Sequence, residues 1–495
     1  MPLLTSKRKK PPIIHTERVE VPVKPKPRPK ISQKNSSLRV ATAKLPGRTK
    51  SKSKTASPYP SPSSDDRRHR VDRDQSRKRK HGSVDPLQPH FDKDSDTDDD
   101  ADDDDVFATL ESRKRQRSST DHHDHKRALT CADAFEPADA PGPKKLRYIH
   151  ATEIISTAHS PSAQRALQAT DEDDIRVQLQ YPSLYSPESY DLLMENGRID
   201  AVKDIIEVVT HVADVYLTDE QATEFTDPNT GLIRRLKRAS NTNDLAGFKR
   251  ALNDANARIL ALAKDGTFRR NLDKRQNGIP HNLVEFILSQ VYDRTVSPDV
   301  DKLKQYTNGT DNVYGELNYV FVTKILQEMT RMTCDQVFVD LGSGVGNVVF
   351  QAALEVGCES WGCEMMDNPC DFADAQKREF AKRCRLWGLA PGQVNLVRGD
   401  FLVEPAVHDV LKRADVVLVN NQAFTPDLNA KLVNMFLDLK QGCRIVSLKS
   451  FTHDQAGRNV NDVASNILQV EHHTYPEGHV SWTNAGGTFC ISTRK

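Results

Sequence analysis

Three acidic residues, each expected at the end of a strand, stand beside a turn that is almost bare of side chains. Phe338 to Asn347 read FVDLGSGVGN, a strand-like run that breaks into Gly342, Gly344 and Gly346 before turning helical. A tight strand–helix turn alone favours glycine, but three of them after Asp340 exceed that need and let main chain approach a ligand closely. Glu364 would end the strand SWGCEM, where its carboxylate can accept from both hydroxyls of a ribose. Asp400 would end VNLVRGD, where it can accept from an adenine amino group while Phe401 packs on the ring. Each acid alone could be a capping carboxylate. Together they describe a crevice for a nucleoside cofactor. A dinucleotide fingerprint, G-x-G-x-x-G/A, needs a small residue where this chain has Asn347, so NAD is the runner-up and D-x-G-x-G-x-G is the pattern present.

A particular frame is needed to bring these residues together. From Gln336 onward, strand candidates alternate with helical stretches: QVFVDL (336–341), SWGCEM (360–365), VNLVRGD (394–400), DVVLVNN (415–421) and CRIVSLK (443–449). The alternation predicts an α/β fold with a doubly wound, mostly parallel sheet. In such sheets ligands lie beyond the carboxyl ends of the strands at the switch point, which is where the three acids fall. Upstream, residues 190–217 and 282–296 have helical spacing, and residues 231–266 read as two helices parted around Asn241. The expected division is an arm over 1–146, a helical subdomain over 147–330 and a catalytic domain over 331–495.

The net charge of +1 hides a strong asymmetry. Residues 1–80 carry 24 Lys and Arg against 6 Asp and Glu, a net of 24 − 6 = +18, together with 11 of the 27 prolines. Such a segment buries too little apolar surface to offset its ordering entropy, and it is expected to be disordered. Its runs, Lys7 to Lys10, Val23 to Lys30, Arg67 to Arg70 and Arg77 to Lys80, with Arg113 to Arg117 beyond, suit DNA phosphates and nuclear import. Residues 92–105 hold ten Asp in fourteen positions and read as a solvating spacer. DHHDH (Asp121 to His125) is a short polar stretch and no metal site is assigned to it. Seven of the eight cysteines fall between Cys334 and Cys490 without a CxxC pair, which fits reduced core thiols rather than zinc ligands. The absence of a long apolar run or an apolar leader predicts a soluble nuclear protein with no membrane partner.

The glycine turn resembles motif I of S-adenosylmethionine-dependent methyltransferases. VYGEL, FVDLGSGVGN, GDF, VNNQAF, LKQGCRIVSLK and a late VSWT, in that order over residues 180–495, resemble the disruptor-of-telomeric-silencing family. These are non-SET enzymes that methylate lysine seventy-nine in the core of histone H3. The resemblance implies a class I S-adenosylmethionine-dependent methyltransferase fold with a seven-stranded sheet. It implies that Tyr314, Gly315, Glu316 and Leu317 form a loop closing over the cofactor. Phe338, Val339, Asp340, Leu341, Gly342, Ser343, Gly344, Val345, Gly346 and Asn347 would form the glycine-rich site, with Glu364 on the ribose and Asp400 and Phe401 on the adenine. Asn420 would sit by the reacting methyl, and Phe424 and Trp482 would wall the lysine channel. Phe489 stands where the family has a channel Tyr, so a hydroxyl is lost there. The implied partners are the nucleosome, with histone H3 as substrate and DNA along the basic arm, and a ubiquitinated neighbouring histone; the chain is expected to be monomeric. The competing functions are a methyltransferase for another nuclear protein or nucleic acid, and a chromatin-tethering module without activity. The absence of DPPY-type prolines after Asn420 disfavours the nucleic-acid version.

Overall fold

The computed structural model describes residues 126–137, 144–156, 164–165, 175–194, 199–304, 315–452 and 463–495. The basic clusters through Arg117, the acidic tract, DHHDH and Tyr314 lie outside them.

Residues 126–135, which composition assigns to the arm, form a strap laid on the folded body. Cys131 N–H donates to Gly388 O at 2.9 Å, and Ala390 N–H donates to Leu129 O at 2.8 Å. The Arg127 guanidinium donates to the carbonyls of Leu354 and Glu355, and Phe135 is buried. Charge averaged over a long window conceals so short a docking segment.

Residues 190–194, which have helical spacing in the sequence, are instead extended. Strands β1 (Arg176–Leu179) and β2 (Glu188–Asp191) pair antiparallel, and Arg176 Nε meets Asp191 Oδ1 at 2.9 Å. Tyr190 and Leu192 alternate inward, so a period of two fits this stretch as well as helical spacing does. Helix α1 (Ala201–Tyr216) begins only where Asp200 accepts the Lys203 N–H at 3.0 Å. There follow α2 (Asp219–Thr226), α3 (Leu232–Asn241), α4 (Leu245–Lys264), α5 (Thr267–Lys274) and α6 (His281–Thr295). The break expected around Asn241 falls at a turn that ends on Asp244, whose carboxylate caps α4 through Gly247 N–H at 2.8 Å.

The alternating region forms one seven-stranded sheet. Its strands are β3 (Val337–Leu341), β4 (Glu359–Glu364), β5 (Val394–Arg398), β6 (Val416–Val419), β7 (Arg444–Ser447), β8 (Leu468–Tyr475) and β9 (Gly487–Arg494). Their order is β8-β9-β7-β6-β3-β4-β5. The pairs β3–β4, β4–β5, β3–β6 and β6–β7 are parallel, while β9 runs against both β7 and β8. Every residue of β3 and β6 is buried, as expected for central strands covered on both faces. The order reverses between β3 and β6, which places the crevice at their carboxyl ends.

The remaining helices are α7 (Tyr319–Thr323), α8 (Asn347–Gln351), α9 (Asp367–Leu386), α10 (Pro405–Leu411) and α11 (Pro426–Met435). Helices α7 and α8 each run on into a π-helical turn, Lys324–Met329 and Ala352–Val356. One apolar core runs from α1–α6 through Phe350, Phe380 and Trp387, so the helical layer is continuous with the sheet's cover. Within it the fully buried Glu188 accepts from Arg294 Nη2 at 3.0 Å, Arg383 Nη2 at 2.8 Å and the Tyr181 hydroxyl at 2.9 Å. Burial pushes the Glu188 carboxyl up, but the two guanidiniums prevail and hold it down at about 2. Among the described residues no helix is long and apolar enough to cross a membrane.

Candidate active site

The turn after β3 carries three residues in the left-handed region, Gly342 (φ 88°), Gly344 (φ 54°) and Gly346 (φ 89°), a conformation that side chains resist. Ser343 N–H and Gly342 N–H both donate to Cys363 O, at 3.0 and 2.9 Å, so the turn folds back across the end of β4. Gly362 makes that crossing possible, because a Cβ there would stand 2.7 Å from Ser343 Oγ. Helix α9 braces the turn from outside: Gln376 Nε2 donates to Val345 O at 2.8 Å and to Asn347 Oδ1 at 3.0 Å. No sequence signal pointed to Gln376.

Beside this turn lies a cleft of about 330 Å³ at the carboxyl ends of β3 to β6. Asp340, Gly342 to Val345, Asn347, Glu364, Asp400, Phe401, Asn420 and Phe424 line it, together with Gly315, Glu316 and Leu317. Phe338, Val339 and Leu341 are buried in β3 behind it, and Gly346 backs the turn against Phe350. The structure also adds wall residues without a sequence signature, among them Met365, Met366, Leu402 and Leu428.

Glu364 is 8 % exposed, and three main-chain donors hold its carboxylate. Gly344 N–H reaches Oε2 at 3.0 Å, and Met365 and Met366 N–H both reach Oε1 at 2.8 Å. Glu364 lines the cleft, and Oε2, with one donor, has capacity for another. Asp400 closes its own turn by accepting Leu402 N–H at 2.9 Å. The Phe401 ring lies 6.4 Å from that of Phe424, tilted by 31°. The adjacent asparagines at the end of β6 divide their tasks. Asn421 is fully buried and structural, accepting Lys449 N–H at 2.8 Å and donating to Lys449 O at 3.0 Å. Asn420 faces the cleft and donates to Gly315 O at 3.1 Å.

Trp482 and Phe489 are not among the residues that line this cleft. Trp482 stands behind the loop, against Gly315. Phe489 is fully buried and outside the cleft lining; it pairs with His473 across β8 and β9 and meets the Phe321 ring edge-on at 5.2 Å. Strand alternation turns it to the core face of the sheet, so an aromatic here fills volume against α7.

Burial, and then the neighbouring charge of Glu364, push the Asp340 carboxyl from 3.8 up to about 8. The folded chain therefore keeps a proton between about pH 4 and pH 8 that the unfolded chain releases, and stability without ligand declines as pH rises through that window. Asp340→Asn is expected to raise the melting temperature much more at about pH 9 than at about pH 5. Equal shifts at both pH values in thermal melts would contradict this assignment.

The strand order with its single reversed strand, the glycine turn after β3 and the acids ending β4 and β5 define a class I S-adenosylmethionine-dependent methyltransferase. The pattern of the histone methylation protein DOT1 matches residues 292–494. A Gibberella zeae protein named histone-lysine N-methyltransferase, H3 lysine-79 specific, is 53% identical over 411 residues, spanning 82% of this chain and 80% of that one. Proteins of the same name from Chaetomium globosum and Emericella nidulans are 53% and 46% identical, over 78% and 75% of this chain and 73% and 74% of theirs. The chain belongs to the DOT1 family of histone methylation proteins and is a histone-lysine methyltransferase that acts on chromatin.

Proposed function

We propose that the protein methylates lysine seventy-nine of histone H3 on nucleosomes, in the nucleus, with the cleft residues in the roles set out below. The observation that carries this reading is Asn420 at the end of β6, facing the cleft from between the glycine turn and the loop at Gly315. It is supported by the specificity in the names of relatives that are 53% identical to this chain over 80% and 73% of their own length.

The cleft fits S-adenosylmethionine: the glycine turn exposes main chain, Glu364 offers Oε2 to the ribose, and Asp400 with Phe401 offers an acceptor and a ring to the adenine. When bound, the cofactor supplies an electrophilic methyl group on a sulfonium. Glu364 and Asp400 fix the nucleoside, and the turn fixes the amino-acid end beside Asp340. Asn420 Oδ1 accepts an N–H of the target amine and aims its lone pair. A free lysine titrates near about 10.4, and the amine must be neutral to react. The Phe424 ring at the cleft disfavours the ammonium and lowers that value. Alignment then supplies several kcal/mol of the barrier reduction.

Nucleosome affinity comes in part from the basic arm, whose +18 over residues 1–80 faces DNA phosphates. Deleting residues 1–80 is expected to weaken nucleosome methylation at 150 mM salt by about tenfold or more and to flatten its salt dependence. An unchanged salt slope would remove the arm from the binding account. The assignment as a whole is tested by offering radiolabelled S-adenosylmethionine with nucleosomes, free histones and naked DNA. Label confined to H3 in nucleosomes supports it; label on free histones or DNA overturns the substrate.

A further inference from the structure

The loop over the cleft is held from behind by a segment that sequence singled out for its tryptophan alone. Glu316 N–H donates to Ser481 Oγ at 2.8 Å, and Ser481 N–H donates back to Glu316 O at 2.9 Å. Leu317 bridges Val480, and Asn318 donates through its N–H to His479 O at 3.0 Å and through Nδ2 to Gly478 O at 2.6 Å. At Gly315 the loop passes so close to Trp482 that a Cβ would stand 2.8 Å from Cε3. The loop is thus a short ribbon zipped to residues 478–482. On its other side Gly315 O accepts from Asn420 Nδ2 at 3.1 Å.

That contact fixes which way round the Asn420 amide sits. A carbonyl oxygen can only accept, so the atom facing it must be the amide nitrogen, and Oδ1 is turned away from the loop. An amine poised to attack has N–H groups to donate and needs an acceptor. The reversed amide would present donors to donors. We propose that Ser481 is a positioning residue for methyl transfer, holding the loop so that Gly315 O keeps Asn420 with its oxygen toward the substrate amine. This rests on the reading of Asn420 as the residue that meets the amine. Ser481 itself is outside the cleft lining and acts through the main chain of Glu316 and Gly315. The sequence of contacts also joins cofactor and substrate ends of the site, because Gly315 to Leu317 line the cleft while their backs face Ser481.

The test uses the full chain with nucleosomes, reading kcat and the S-adenosylmethionine Kd separately. In Ser481→Ala the main-chain half of the pair, Ser481 N–H to Glu316 O, survives, so the fold is retained while Glu316 N–H loses its acceptor. The expected result is a fall in kcat of about tenfold with Kd within about threefold, and recovery in Ser481→Thr, which keeps the hydroxyl. In an Asn420→Ala background Ser481→Ala is expected to cost nothing further, since the group it orients is gone. Additive losses in the double variant, or a Kd that weakens in step with kcat, would overturn the proposal by making Ser481 a brace for the cofactor alone. If Asn420→Ala turns over slowly and Ser481→Ala at the normal rate, this proposal falls and the reading of Asn420 stands. Normal turnover by Asn420→Ala overturns both.

Discussion

Asn420→Ala is expected to lower kcat on nucleosomes by about two to three orders of magnitude while leaving the S-adenosylmethionine Kd within about threefold. The reason is positional. Asn420 touches the cleft at the end of β6, on the far side of the glycine turn from Glu364. Its removal therefore takes no direct bond from the nucleoside pocket. What it takes is the acceptor that orients the amine, an interaction made as the reactants align rather than on cofactor binding. Asn420→Asp separates shape from charge: it keeps an oxygen but repels Gly315 O at 3.1 Å, so it is expected to be impaired as well. Equilibrium dialysis of cofactor alongside single-turnover rates checks the claim. A Kd that rises as far as the rate falls would place Asn420 in the cofactor site instead.

Glu364→Gln is expected to do the reverse, weakening S-adenosylmethionine by about a hundredfold with little effect on the rate of the cofactor-saturated enzyme. The carboxylate accepts main-chain N–H groups on both oxygens, Gly344 on Oε2 and Met365 and Met366 on Oε1. A glutamine has one oxygen. Whichever way the amide is turned, its NH₂ opposes at least one of those donors, and either the Gly344 bond or the bonds to Met365 and Met366 are lost. Loss of charge-assisted bonds at a buried site costs about 1.5–3 kcal/mol each, which is the scale of the expected affinity loss. Titration calorimetry at saturating and limiting cofactor distinguishes this from a folding defect, which would lower the active fraction and leave Kd unchanged.

Legibility in the sequence was uneven for physical reasons. The parallel sheet was readable because buried strands are continuous apolar runs between helical spacings, and the cleft acids were readable because the switch point puts function at strand ends. Residues 190–194 were misread because Tyr190 and Leu192 satisfy both periods over so short a window, and the choice was made by pairing with β1, a contact that sequence spacing cannot see. Phe489 lies outside the cleft lining, and a motif, which gives order along the chain, does not say which face of β9 a residue occupies. Ser481 and Gln376 act on main-chain groups, a contact that carries no residue signature at the other end.

The strap has a geometric corollary. Its contacts, Gly388 to Ala390 and the carbonyls of Leu354 and Glu355, precede β5 and β4 and so lie at the amino-terminal edge of the sheet. The cleft lies at the opposite edge, about five residues of strand or some 17 Å away. The strap that begins at Lys126 is therefore fastened at the rear of the catalytic body. Residues 126–135 thus grip one edge of the sheet while the cofactor cleft opens at the other, and the residues they contact are not ones that line the cleft.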